Sequence, residues 1–404
     1  METAWRRSNS GEPVLGSVIS CEVKPTSQPR KIRPQKTTHA DFHPFWGGFS
    51  GCQEPSGRRF GQGRPERRTE CSPASGWVIQ SRRKSMKIVI TGGTGFVGQA
   101  VVRALLERGD SVVVLTRDPF EATERLRSTI GEGPGSSRRG EVGVQVRSWE
   151  PDRSGSWQEH VDGSDAILHL AGESLAASRL GENLMARAYQ SRVRAAELLV
   201  EAMGKAVAPP RVFVSASGVG YYGSRHDDVA LTEDAPPGDD RLARLCVDWE
   251  NAAQAAERLG ARVVCARLGV VIDGDGGALP LMARPYRFFV GGPLGAGTQY
   301  FAWVHRADVV RILLRCLDDA SISGPVNLTA PEALTNEQFS IALGQAMGRP
   351  SWTRVPDWVL RAVLGDGAEV VLGGQRAVPR KLLDAGYEWQ YPGVRAALRA
   401  ALAR

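Results

Sequence analysis

Three glycines at three-residue intervals carry the first chemistry legible in this 404-residue chain: Gly92-x-x-Gly95-x-x-Gly98, within Met-Lys-Ile-Val-Ile-Thr-Gly-Gly-Thr-Gly-Phe-Val-Gly from Met86 to Gly98. Glycine at these places lets the chain turn sharply, brings bare backbone against a pyrophosphate, and packs a helix tightly on a sheet. The helix N-terminus adds free N–H groups and the positive end of its dipole. Gly92, Thr94, Gly95, Phe96, Val97 and Gly98 are therefore candidate dinucleotide-binding residues. A second group follows where the next apolar run ends. Ser111-Val-Val-Val-Leu-Thr-Arg117 puts a guanidinium where a 2′-phosphate needs one, which favours NADP(H). Asp118 follows at once and suits a ribose 2′-hydroxyl, so NAD(H) stays open, with Arg117 as a solvated strand-end charge the plainer alternative.

These groups need a strand before the glycines, a helix after them and a second strand beyond. Ile88–Thr91, a helix from Val97 to Arg108, and Val112–Thr116 supply them. A polar stretch over Arg125–Glu141 reads as loop-rich, then Val142–Trp149 and Ala166–Leu170 as strands three and four. A long helix over Asn183–Met203, a strand over Arg211–Ala216, a helix containing Trp249–Leu259 and a strand over Val263–Leu268 complete the pattern. Strands alternating with helices predict an α/β fold, a Rossmann-type doubly wound parallel sheet, over residues 86–349. Residues 350–404 form a smaller C-terminal lobe: helical spacing at Trp358, Leu360, Val363 and Leu364, a helix from Pro379 through Leu383, a short strand over Tyr387–Trp389 and a last helix over Val394–Ala403.

The net charge of +7 suggests nucleic acid until it is divided. Residues 1–85 hold 15 Lys and Arg against seven acids, and the remainder holds 36 against 37. The basicity belongs to the leader, so a nucleic-acid role has little support. That leader is rich in Arg, Pro, Ser and Gly without helical or strand period, and is expected to be disordered. It lacks the apolar run of a secretory signal, and its acids argue against a transit peptide. A start placed too far upstream, with Met86 the true first residue, is the preferred explanation; a genuine disordered arm is the alternative. Cys246, Cys265 and Cys316 are isolated, no Cys-x-x-Cys pair occurs and the histidines are scattered, so no metal site is expected. No apolar run reaches membrane-spanning length, and a cytoplasmic setting fits.

From Met86 onward the chain resembles an extended short-chain dehydrogenase/reductase, and more narrowly the uncharacterised NAD(P)-dependent epimerase-family group with a small C-terminal domain of unknown function. The matching stretches include Thr91–Gly98, Leu170-Ala-Gly-Glu173, Ser191-Arg192, Ser215-Ala-Ser-Gly-Val-Gly-Tyr-Tyr-Gly223, Gly291–Gly295, Trp303-Val-His305, Gly324–Thr329 and Leu372-Gly-Gly-Gln-Arg376. The resemblance implies a nicotinamide cofactor, with Leu170, Ala171 and Gly172 beside it, and a substrate lobe built mainly from the C-terminal half. Extended relatives often dimerise through helix pairs, so a homodimer is an expectation. No substrate follows, because the group lacks an established one.

The resemblance also exposes a gap. Relatives use a Tyr-x-x-x-Lys pair on the helix after strand five and a Ser at that strand's end, the lysine lowering the tyrosine's pKa. Here Ser215 and Ser217 are available, with Ser217 preferred, but the helix reads Leu-Ala-Arg-Leu-Cys-Val-Asp-Trp-Glu from Leu242 to Glu250. Tyr221 and Tyr222 are the candidate replacement acids, with Arg225 or His226 as the group that would lower their pKa; a packed Tyr-Tyr-Gly turn is the alternative. Glu173 and Arg192 are candidate substrate residues, against a capping role for the first and a surface pair with Glu197 for the second. Gln299, Trp303 and His305 offer amide, indole and imidazole to a small polar ligand, or are simply buried and hydrogen-bonded. Two function classes follow: an NADP(H)-dependent oxidoreductase or epimerase acting on a small polar carbonyl or hydroxyl compound, such as a nucleotide-linked sugar, or an NADP(H)-binding sensor or interaction module without turnover.

Overall fold

A computed structural model describes residues 84–130, 143–175 and 182–403. The expected disordered leader, save for Lys84 and Ser85, residues 131–141 of the expected loop and Val142 of the expected third strand lie outside the described residues. Along the chain run β1 (Lys87–Thr91), α1 (Phe96–Glu107), β2 (Ser111–Thr116), α2 (Pro119–Ile130), β3 (Val144–Ser148) and β4 (Ala166–His169). Next come α3 (Glu182–Tyr189), a π-helical turn (Gln190–Arg194), α4 (Ala195–Lys205), β5 (Val212–Gly218), a 3-10 turn (Val219–Tyr222), β6 (Ala230–Leu231), α5 (Arg241–Gln254) and β7 (Arg262–Leu268). Then follow β8 (Val270–Asp273), β9 (Gly276–Gly277), α6 (Leu279–Arg287), β10 (Trp303–His305), α7 (Arg306–Asp318), β11 (Gly324–Leu328), α8 (Asn336–Met347), α9 (Asp357–Leu364), α10 (Ala368–Leu372), β12 (Arg376–Ala377), α11 (Arg380–Asp384) and α12 (Val394–Leu402).

Seven strands form one parallel sheet in the order β11-β7-β5-β4-β1-β2-β3. The apolar runs of β1 and β2 are buried on both faces, as a helix-covered parallel sheet requires. Ile88, Ile90, Val112 and Val114 pack with Val101, Val102 and Leu105 of α1 and with Ile312 and Leu313 of α7. The alternate positions Val89, Val113, Ile167 and Phe213 pack with Leu198, Leu199 and Met203 of α4 on the other face. Burying each such side chain adds about 1.5–3 kcal/mol. The strand order turns back between β1 and β4, and the crevice at their C-terminal ends is where ligands of such sheets bind.

The structure corrects several expectations. Residues 125–130, expected as loop, close α2, because Asp118 caps that helix: its Oδ1 accepts from the Glu121 N–H at 2.9 Å. Gly324–Leu328 is a seventh strand that the sequence reading missed; Pro325 is tolerated because β11 is an edge strand. Tyr387 and Trp389 form an edge-to-face aromatic pair instead of a strand. Two small sheets complete the fold, β10-β8-β9 and the parallel pair β12-β6. Among the described residues, no helix is long and apolar enough to cross a membrane.

Candidate functional site

At the nucleotide end, backbone makes the site. Gly92 has φ +72°, and a Cβ there would stand 2.6 Å from the Leu170 carbonyl carbon. A Cβ on Gly98 would overlap the carbonyl oxygen of Gly92. These two positions need glycine, the first so the loop can lie against Leu170 and Ala171, the second so α1 can lie on the loop. Gly95 starts α1 with no side-chain cap and no acid in the first turn, which leaves N–H groups for an anion. Thr94, Phe96 and Val97 are half-buried around it, as are Leu170 and Ala171, and Gly172 is exposed. Arg117 is exposed at the end of β2 and has no ion-pair partner among the described residues. Asp118 is occupied in capping α2, so Arg117 is the group left to meet a ribose substituent. This loop, helix start and free cation fit a phosphorylated dinucleotide.

His169 links that end to the next. It is fully buried, and burial pushes its pKa down to about 4. Its Nε2 faces the Arg192 carbonyl at 3.2 Å, an acceptor, so the neutral ring donates there and its Nδ1 accepts from Thr91 Oγ1 at 2.7 Å. The Arg192 carbonyl belongs to the π-helical turn between α3 and α4. The same turn holds the segment after β4. Ser191 Oγ accepts the Glu173 N–H at 3.0 Å, and Arg192 Nη2 donates to the Glu173 carbonyl at 2.8 Å. The Arg192 guanidinium covers Gly172 and stands over the Trp249 ring at 5.2 Å. Glu197 pairs with Arg194 instead of Arg192. The carboxylate of Glu173 lies 3.6 Å from Arg187 Nε.

Side chains, not backbone, build the opposite end. Ser217 Oγ donates to Glu250 Oε1 at 2.7 Å. Glu250 is also gripped by Arg267, Nε to Oε1 and Nη2 to Oε2, both at 2.8 Å and all but buried. Burial would loosen the Arg267 proton, but Glu250 more than offsets it and holds the guanidinium charged. Arg267 Nη1 donates to the Tyr222 hydroxyl at 3.0 Å, which donates in turn to Asn327 Oδ1 at 2.7 Å. Tyr222 is 1 % exposed, and burial pushes its pKa up to about 12 although Arg267 opposes the shift. It therefore braces the network and is not presented as an acid. Tyr221 differs: it is half-buried, its ring lies flat under Arg267 with the guanidinium carbon 3.4 Å from its centroid, and its hydroxyl has no partner among the described residues. The expected helpers are elsewhere, since Arg225 pairs with Asp227 and His226 is exposed. The cation beside the tyrosines is Arg267.

α5, which holds no Tyr-x-x-x-Lys pair, instead carries Cys246 and Glu250 one helical turn apart on its buried face. Cys246 Sγ lies beside Gly218 and Gly220, and burial, then the Glu250 charge, push its thiol up to about 12.

Gln299, Trp303 and His305 do not converge with this cluster. Gln299 Nε2 donates to the carbonyls of Leu294 and Val371, Trp303 Nε1 donates to the Glu332 carbonyl at 3.2 Å, and His305 Nδ1 caps α7 by accepting the Ala307 N–H. All three are buried and bind the chain to itself. The C-terminal lobe instead reaches the tyrosine loop through Leu372-Gly-Gly-Gln-Arg376. A Cβ on Gly373 would overlap Ser224 Oγ, one on Gly374 would overlap the Tyr300 carbonyl, and Gln375 Nε2 donates to the Gly223 carbonyl at 2.7 Å. Among the described residues, no group of His, Cys, Asp and Glu is placed to hold a metal ion.

Sequence reasoning missed Arg267, Glu250, Asn327 and His169. Their signal was present: a charged or polar residue inside an apolar parallel strand must find a buried partner. Arg267 in β7, Asn327 in β11 and His169 in β4 all meet that description.

Residues 88–328 match the model of the NAD dependent epimerase/dehydratase family, and residues 355–401 match a domain of unknown function, DUF1731. A chloroplastic epimerase family protein SDR39U1 homolog from Arabidopsis thaliana is 36 % identical over 326 residues, covering 80 % of this chain and 89 % of that protein. The crystal structure of human epimerase family protein SDR39U1 (isoform 2) with NADPH superposes with a TM-score of 0.66 at 32 % identity, over 79 % of this chain and 99 % of that one. A UDP-glucuronic acid 4-epimerase from Bacillus cereus, in complex with UDP-glucuronic acid and NAD, gives a TM-score of 0.62 over 78 % of this chain and 98 % of that one; at 17 % identity it shares the fold.

Proposed function

Because the chain belongs to the NAD dependent epimerase/dehydratase family, we propose that it is an NADP(H)-dependent oxidoreductase or epimerase acting on a small polar carbonyl or hydroxyl compound. Residues 86–349 hold the cofactor and part of the substrate lobe, and 350–404 wall the site through the Gly373–Gln375 contact with residues 223 and 224. The NADPH in the human relative and the unpaired Arg117 here both support the phosphorylated cofactor. Free, buried Cys246, Cys265 and Cys316 suit a reducing compartment, and we place the protein in the cytoplasm.

The observation that carries the reading is Tyr221: a phenol without a hydrogen-bond partner among the described residues, stacked on a charged guanidinium that Glu250 ties to Ser217. The bound nicotinamide exchanges a hydride, and the chain must exchange the matching proton. Tyr221 gives or takes that proton, with the Arg267 guanidinium stacked on its ring. Ser217 acts through its lone pairs. Its proton is committed to Glu250, so Oγ offers lone pairs to a substrate hydroxyl instead of donating to a carbonyl. That arrangement supports a site that positions an alcohol. It also supports the second reading, a cofactor-binding module without turnover, should no hydroxyl compound react.

A panel of alcohols, carbonyl compounds and UDP-sugars, followed by NADPH formation or consumption and by epimer analysis, tests this. Turnover that Tyr221→Phe abolishes while NADPH affinity holds is the expected result. Turnover unaffected by Tyr221→Phe would overturn the assignment, and none with any compound favours the second reading.

A further inference from the structure

The glycine loop has a neighbour that the family motif does not include. Phe96, the first residue of α1, presses its ring against the β8–β9 hairpin, where a Cβ on Gly276 or Gly277 would come within 2.9 or 2.7 Å of it. Arg306, the first residue of α7, stands over the same ring with its guanidinium carbon 4.8 Å from the centroid. Its side chain is 17 % exposed and forked by two carboxylates: Nε lies 3.1 Å from buried Asp273 Oδ2, and Nη2 lies 2.7 Å from Asp275 Oδ2, which is half exposed. Its Nη1 has no partner among the described residues. Arg306 thus brings a cation, as well as two carboxylates, beside a loop whose helix start carries no acid.

We propose that Arg306 is a further cofactor-binding residue, engaging the diphosphate from the hairpin side while α1 holds it through backbone N–H groups. This rests on the glycine loop's holding a dinucleotide. Asp273 anchors the guanidinium from beneath, and exposed Asp275 is the partner it exchanges for phosphate. A guanidinium suits this task because its planar fork keeps one edge on a carboxylate and turns the other to phosphate. The role is separable from that of Arg117, because the diphosphate is common to NADPH, NADH and ADP-ribose whereas a 2′-phosphate is not.

The test is equilibrium titration of the full chain and its variants with NADPH, NADH, ADP-ribose and 2′-AMP. Arg306→Gln should weaken the three diphosphates alike, by roughly 10- to 100-fold, and leave 2′-AMP unchanged. Arg306→Lys, which keeps the charge without the fork, should fall between, and Asp275→Asn should bind all three diphosphates a few-fold more tightly. Equal loss of 2′-AMP in Arg306→Gln would mean that only hairpin structure was lost, and would overturn the proposal. Undiminished diphosphate binding would overturn it too. A wild-type protein that binds no dinucleotide would remove the cofactor reading itself, a different result from a variant that binds as wild type.

Discussion

The two ends of the crevice are made of different material. At the glycine loop the working surface is main chain: bare residues, a helix start and one free cation, all within residues 91–117. At the tyrosine loop it is side chain: Ser217, Tyr222, Glu250, Arg267 and Asn327, from four elements and a turn. A backbone site tolerates few substitutions and fails by losing its ligand. A side-chain network fails by leaving a charge buried without its partner, and the fold pays before the ligand does.

Variants at each end should therefore fail differently. The largest effect is expected of Gly98→Ala, where the new methyl would overlap the Gly92 carbonyl and push α1 off its loop; isothermal titration should find NADPH binding lost, a drop above about 100-fold. Glu250→Gln should cost about 3–5 kcal/mol in chemical denaturation by stranding Arg267, yet leave NADPH affinity within about threefold. A large affinity loss there would dissolve the distinction between the two ends.

Next comes acid. With a folded pKa of about 4 against an ordinary 6.5, His169 binds its proton more readily unfolded than folded. Its contribution is complete above pH 6.5 and is lost as pH falls toward 4, about 3 kcal/mol in all. His169→Gln should flatten the fall of melting temperature across that window, and an unchanged slope would put the acid sensitivity elsewhere. Arg117→Ala should weaken NADPH by about tenfold and leave NADH untouched. Smallest of all, Asp118→Ala should cost about 1 kcal/mol through the α2 cap without changing nucleotide choice. A switch in preference toward NADPH in that variant would show Asp118 to be reading the ribose.

The same division explains what was legible in the sequence. The glycine loop, its flanking strands and Arg117 could be read because backbone sites are local: the residues that make one are neighbours in the chain. Tyr221 and Ser217 were found through their motif, but their partners were not. Glu250 stands 33 residues after Ser217, and Asn327 stands 105 after Tyr222, so no window of sequence contains a contact. Gln299, Trp303 and His305 bond backbone groups that no motif announces. Polar groups near a glycine-rich segment look aimed at a ligand, whereas buried backbone carbonyls and helix starts compete for the same donors and acceptors. Arg125–Ile130 was read as loop from its polarity, although Asp118, two residues after β2 ends, had already marked a helix start.

The glycine pair at residues 373 and 374 has a consequence for how the protein is made. Synthesis runs from the N-terminus, and domains tend to fold as they emerge. The dinucleotide loop is complete once β4 has been added, early in the chain. The tyrosine loop is not, because its outer wall is Gly373, Gly374 and Gln375, and β6 pairs with β12 at Arg376 and Ala377. On the ribosome, the residues of the glycine loop are therefore made well before the outer wall of the tyrosine loop, and a chain that stops short of Gly373 lacks that wall.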